Sequence, residues 1–195
     1  MKLKIICVAY ERPVRMVLLL HSFLAQTCGD WELWFIHDGE PSDEVKRSSA
    51  LYSTEPRIHF VATKQPNGNF GHPNRKWMLE NIPQEGGDYV LITNDDNYYV
   101  PEFVEQMLSA CIENTGFVMC DCLHSYDHYD YFSCETAECK IDMGEFIVRL
   151  DIAKEVGFIH DHHSADGAFA VECVNLCAER GLLIRKIPRA LFVHN

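Results

Sequence analysis

Apolar residues along the chain fall into short unbroken runs separated by stretches with a helical stripe. Runs at 4–8, 31–37, 58–62 and 89–93 are continuous rather than alternating, which predicts strands buried on both faces of a sheet. After Arg12-Pro13, apolar residues at 14, 17, 18 and 24 have the period of an amphipathic helix, and a second helix is expected from about 73 to 81. Pro101 opens a third, whose stripe is Phe103, Val104, Met107, Leu108, Cys111 and Ile112. Further on, the pattern predicts strands at 116–120 and 146–150 and a short helix at 151–156. A longer helix follows at 166–180, stopped by Gly181, and then strands at 183–187 and 191–193. Residues 65–69 are turn formers, and 121–140 show no period while concentrating His, Tyr, Asp and Cys. Strands alternating with helices imply an α/β fold with a mostly parallel sheet covered on both faces.

Composition narrows the class of protein. A chain of 195 residues with 47% apolar and 24% charged residues suits one soluble domain. The net charge of −12 argues against non-specific binding to nucleic acid or anionic membranes, which relies on clustered Lys and Arg. A phosphate-bearing ligand would need a metal ion or a few placed basic side chains. The apolar stretch in residues 1–7 is too short for a signal peptide or a spanning helix. Nine cysteines, an odd set without a secretory signal, predict free thiols and a cytoplasmic location.

Candidate chemistry centres on Asn94-Asp95-Asp96-Asn97, directly after the run at 89–93. Adjacent carboxylates repel, and a hard divalent cation is the usual reason to keep such a pair ionised; the same four residues also read as a solvated turn. They fall at the carboxyl edge of the expected sheet, where open α/β folds bind ligands. Arg12, Arg75 and Lys76 carry groups that suit phosphate oxygens. Cys120, Cys122, His124, His128, Cys134 and Cys139 invite a zinc reading, although Cys-x-Cys followed by Cys-x4-Cys matches no strong zinc module. Cys173 and Cys177, four apart on a helix, read as small core residues.

Order and spacing together carry a resemblance. Val8-Ala9-Tyr10-Glu11-Arg12-Pro13, Leu18-Leu19-Leu20, Gln26-Thr27, Trp31-Glu32-Leu33 and His37-Asp38-Gly39-Glu40 come first, followed by Asn74-Arg75-Lys76 ahead of the acidic motif. Over most of residues 4–108 this resembles the opening of GT-A-fold glycosyltransferases of the family 2 type, which are inverting enzymes. The resemblance implies a single GT-A-like, Rossmann-related domain over residues 1–195, with a mostly parallel central sheet flanked by helices. Its nucleotide-binding half would be about 1–100 and its acceptor half about 101–195. It further implies a nucleotide-diphosphate-sugar donor, with UDP the expected nucleotide, and Mn²⁺ or Mg²⁺ as cofactor.

Carried over residue by residue, the resemblance places Asp38 on the nucleobase and Asp95 near the ribose, with Tyr10, Arg12 and Arg75 also on the nucleotide. Asp96 would hold the metal, with His194 as a second ligand. His162-His163-Ser164-Ala165-Asp166 occupies the place of the family's acidic segment, so Asp166 matches the catalytic base, with Ala165 in place of its acidic neighbour and Asp161 as fallback. Tyr98, Tyr99 and the 121–140 loop would shape the acceptor pocket. The chemistry is coherent: a divalent ion neutralises charge on the leaving nucleotide, and a carboxylate takes the proton of an attacking hydroxyl.

Two other functions use the same residues. A nucleotidyltransferase or phosphohydrolase would need the acidic pair but no base at Asp166, and a non-catalytic protein would keep only a UDP and metal pocket. Many relatives carry an additional carboxyl-terminal region for acceptor or membrane contact, so acceptor binding here is expected to draw on a partner or on a second copy in a homo-oligomer.

Overall fold

Why the apolar runs are continuous is answered by β1 (Leu3–Ala9), β2 (Trp31–His37) and β4 (Tyr89–Asn94), which bury side chains on both faces. The computed structural model describes residues 1–195. With β3 (Ile58–Ala62) these strands form a parallel half-sheet in the order β3-β2-β1-β4. Leu3, Ile5 and Cys7 enter a core of 27 buried residues, and Ile6, Trp34 and Ile36 a second core of 23 on the opposite face. The period of two along each strand divides its side chains between the layers.

The remaining strands extend the same sheet as β8-β6-β9-β5, with β7 paired to β6. They are β5 (Tyr98–Tyr99), β6 (Thr115–His124), β7 (Asp130–Phe132), β8 (Phe146–Arg149) and β9 (Leu183–His194). β8 runs antiparallel to both β4 and β6, whereas β9 runs parallel to β6. The α/β class is as expected, and the sheet is parallel in its first half and mixed in its second. The two expected final strands are one, β9, whose register against β6 shifts on both sides of Asp121. Such irregularity accommodates Pro188, which has no N–H to give the ladder.

Helices cover both faces. α1 (Pro13–Leu24) starts on a proline and buries Met16, Leu19, Leu20 and Phe23. α4 (Phe103–Ser109) packs on the same side, whereas α3 (His72–Asn81), α5 (Leu150–Val156) and α6 (Ala165–Glu179) supply residues to the other core. α2 (Asp43–Ala50) buries only Val45, so no apolar stripe announces it; Ser42 caps it by accepting from the Val45 amide at 3.4 Å. No helix is long and apolar enough to cross a membrane.

Two features set up the ligand edge. β1, β2 and β4 end together, since Ala9 pairs with His37 and Val8 with Asn94. β9 then returns to that edge, pairing Val193 with Tyr98 and His194 with His124. Tyr99, expected at the acceptor pocket, is instead fully buried between Phe103 and Phe192, its hydroxyl donating to Thr93 Oγ1 at 2.7 Å. Tyr98 stays exposed.

Candidate active site

At the carboxyl ends of β1, β2 and β4 lies an open cavity of about 640 Å³, the size of a small-ligand site. Tyr10, Arg12, Asp38, Arg75, Asp96, Asp166 and His194 all line it. Asp95 does not, and Lys76 points outward from α3 as an exposed residue. Asp161 is exposed and also off the wall.

Asp38 is mostly committed to the protein. Its Oδ1 accepts from the Asn67 amide and from Asn74 Nδ2, both at 2.8 Å, and its Oδ2 accepts from the Gly68 amide at 3.0 Å. Burial raises its pKa, but these hydrogen bonds outweigh burial and hold the carboxyl below its ordinary value. A carboxylate has about four lone-pair sites, so about one is left for a ligand's N–H. The bonds anchor a loop in which Gly68, Asn69, Phe70 and Gly71 all have positive φ. Asn69 and Phe70 adopt this conformation at a cost, a kind of strain that concentrates at binding sites. A Cβ on Gly71 would come within 2.4 Å of Val8 Cγ1, so only glycine lets the loop sit on β1.

Arg75 braces the same loop from below. Its Nη1 donates to the Phe70 carbonyl at 2.6 Å and to His72 Nδ1 at 2.9 Å, and its Nη2 donates to the Asn94 side-chain oxygen. The guanidinium is buried, and its Nε has no partner. Tyr10, by contrast, is exposed at the rim with its ring 6.0 Å from that of His37. His37 is buried; the Glu11 amide donates to its Nε2 at 3.2 Å, so Nδ1 carries the proton toward the Gly39 carbonyl.

The acidic pair is split by the fold. Asp95 is fully buried behind the cavity wall, with Arg12 Nη2 2.5 Å from its Oδ1 but off hydrogen-bond alignment. Burial pushes its carboxyl up to about 7 against the pull of Arg12. The expected ribose contact is therefore not available from this position. Asp96 faces the cavity, and its Oδ2 accepts from Arg12 Nη1 at 2.6 Å and Arg15 Nη1 at 2.9 Å. Asn195 Nδ2 donates to the Asp96 carbonyl at 2.6 Å, which draws the end of β9 over the motif.

No three His, Cys, Asp or Glu side chains converge as a ready-made metal cage. A cation coordinated by one or two side chains plus phosphate oxygens does not need one. Asp96 offers a carboxylate on the cavity wall, and His194 carries a buried Nδ1 without a hydrogen-bond partner, so these residues fit such an ion. The zinc reading of 120–139 finds no support, because Cys120, Cys122 and Cys134 are buried in the sheet's surroundings while Cys139 is exposed.

Asp166 sits in the first turn of α6, its Oδ1 accepting from the Gly167 amide at 2.8 Å. Burial raises its pKa, and the charge of Asp142 adds to that. Asp142 is a cavity residue that sequence reading missed. It forms a capping box with Glu145: Asp142 Oδ1 accepts from the Gly144 amide at 2.9 Å, and Glu145 accepts from the Asp142 amide at 2.6 Å. The Asp-x-x-Glu spacing was the available signal. Asp142 Oδ2 also lies 3.6 Å from His194 Nδ1.

Residues 4–165 match the sequence profile of glycosyl transferase family 2. The chain belongs to that family. As a family 2 chain it is 30% identical over 122 residues to the uncharacterized glycosyltransferase YwdF of Bacillus subtilis (strain 168), a match covering 62% of this chain and 42% of that protein. Its fold is that of S. aureus TarS 1-349, with a TM-score of 0.78 at 15% identity over 100% of this chain and 60% of that one. The complex of TarS 1-349 with UDP-GlcNAc gives 0.77 at 15% identity, covering 100% and 58%. The mannosyltransferase PcManGT from Pyrobaculum calidifontis, in complex with GDP-Man and Mn²⁺, gives 0.75 at 15% identity, covering 99% and 56%. At such identities the likeness is one of fold, and it makes this family 2 chain a GT-A domain. The chain spans less than half of its curated relative and under two thirds of these solved chains.

Proposed function

We propose that this family 2 chain carries the donor site and catalytic base of an inverting glycosyltransferase that moves a sugar from a nucleoside diphosphate to an acceptor hydroxyl. The observation that carries the reading is the convergence of Tyr10, Arg12, Asp38, Arg75, Asp96, Asp166 and His194 on one cavity from across the chain. That similar folds hold UDP, UDP-GlcNAc or GDP-Man supports the donor class and makes UDP the first nucleotide to try. Nine free cysteines support the accompanying reading of a reducing, cytoplasmic setting.

In this reading Asp38 accepts from the nucleobase with its remaining lone pair, and Tyr10 flanks the base at the rim. Arg12 and Arg75 oppose phosphate charge, and Asp96 with His194 holds Mn²⁺ or Mg²⁺. Bound there, the ion would neutralise charge that develops on the leaving diphosphate. Asp166 takes the proton of the acceptor hydroxyl as its oxygen attacks the anomeric carbon from the face opposite the nucleotide. A single displacement inverts the configuration. A carboxylate with a raised pKa is the better proton acceptor near neutral pH.

The test is Asp166→Asn assayed against a panel of UDP- and GDP-sugars. We expect kcat to fall about 10²- to 10⁴-fold with nucleotide affinity kept. If Asp166→Asn turns over normally while Asp96→Ala is inactive, the carboxylates serve phosphate chemistry and the transferase reading fails.

A further inference from the structure

Two carboxyl and two guanidinium groups meet at the end of β4: Asp95 and Asp96 face Arg12 and Arg15. The two arginines stand three apart on one face at the start of α1. Their attachments differ. Arg12 bridges both side chains, and one of them, Asp95, is fully buried, so withdrawing Arg12 would leave that carboxyl without its ion-pair partner away from water. Arg15 has Asp96 as its only ion-pair partner, and its side chain is half exposed. With half of its side chain already in water, Arg15 can leave Asp96 at a lower cost than Arg12, which is tied to a buried partner.

This arrangement also leaves a bare divalent cation little to bind, because two guanidinium groups already pair with Asp96. An incoming diphosphate alters that pairing. It carries more negative charge than one carboxylate, and its oxygens match the guanidinium fork.

We propose that Arg15 is a latch on Asp96 that the donor's diphosphate opens. Its guanidinium passes from Asp96 Oδ2 to a phosphate oxygen, which leaves Arg12 as the one ion-pair partner of Asp96 and opens that carboxylate to the cation, while Arg12 stays fixed by Asp95. The latch rests on the reading of Asp96 as metal ligand. It makes Arg15 a donor contact although it does not line the cavity. It also couples the two ligands, and the coupling is reciprocal: nucleotide tightens metal binding by the factor by which metal tightens nucleotide binding.

The experiment titrates MnCl₂ into wild type and Arg15→Gln, with and without saturating UDP or GDP, reading free Mn²⁺ by electron paramagnetic resonance. Calorimetry gives the nucleotide affinity without metal, and thermal melts show whether the variant is folded. Glutamine keeps good helix propensity at this half-exposed site. We expect Arg15→Gln to bind Mn²⁺ alone at least fivefold more tightly than wild type, to bind nucleotide alone more weakly, and to show a smaller coupling factor. Arg15→Lys, which keeps one charge, should fall between them. If wild type binds Mn²⁺ with nucleotide but Arg15→Gln shows the same affinities and coupling, the latch is wrong and the metal reading of Asp96 stands. If wild type binds no Mn²⁺ even with nucleotide present, both fail.

Discussion

At Asp38 a single carboxylate orders a loop and still faces the cavity. Replacing it with Ala takes the acceptor from the Asn67 and Gly68 amides of the exposed loop and leaves the buried Asn74 side-chain donor unpaired, the last at about 1–3 kcal/mol. Asp38→Ala should therefore lower the melting temperature by several degrees and weaken nucleotide binding together, as calorimetry would show; an unchanged melt would contradict the anchoring role. Glu145 offers a pH test. It is fully buried, and burial pushes its carboxyl from an ordinary 4.5 up to about 8. Over that interval the folded chain keeps a proton that the unfolded chain releases, so Glu145 makes stability fall as pH rises from about 4.5 to about 8. Glu145→Gln should match wild type near pH 5 and be the more stable near pH 8 in urea unfolding. A difference independent of pH would refute this. Among the residues, those at strand and helix ends were legible in the sequence because an α/β topology gathers such ends on one edge. The burial of Asp95 was not legible, since adjacency to Asp96 says nothing about which side chain turns inward. Nor was Arg15, an arginine on an amphipathic helix with nothing local to mark its partner.

Elements show the same division for a physical reason. β1, β2 and β4 could be read because burial on both faces makes their sequences continuously apolar. α2 escaped notice because it buries one residue and depends on its Ser42 cap, and β5 because two residues carry no period. β7 and the turn holding Asp142 lie in a stretch whose order comes from long-range contacts, such as the Tyr131 hydroxyl and the Cys134 amide both donating to Asp121. The loop leading into α3 was recognised as turn-forming, but its run of positive φ was not. It gives a prediction for an element. Gly71→Ala meets both a positive φ and a 2.4 Å contact with Val8, so it should cost roughly 1–3 kcal/mol and loosen nucleotide binding. Gly86→Ala, with open space around it, should leave both unchanged. Equal effects of the two substitutions in denaturant melts would remove the case for a constrained loop.

For the whole molecule, one continuous sheet joins a parallel half that supplies Tyr10, Asp38 and Asp96 to a mixed half that supplies Asp142, Asp166 and His194. The chain carries a net charge of −12, and the cavity wall places Arg12 and Arg75 where an anionic ligand would meet positive charge. Family membership and the GT-A fold set the class of chemistry, while the residues on the cavity wall must perform it. The central claim, a nucleotide-sugar donor held in this cavity with a divalent ion, is tested most directly by thermal unfolding with UDP, GDP and their sugar conjugates, with and without MnCl₂. A ligand at one hundred times its Kd adds about 2.7 kcal/mol to stability. For a domain of this size that raises the melting temperature by roughly 5–10 °C. The account predicts such a rise with at least one nucleotide, larger with Mn²⁺, and loss of the Mn²⁺-dependent part in Asp96→Asn. No shift with any nucleotide at millimolar concentration, with or without Mn²⁺, would contradict it.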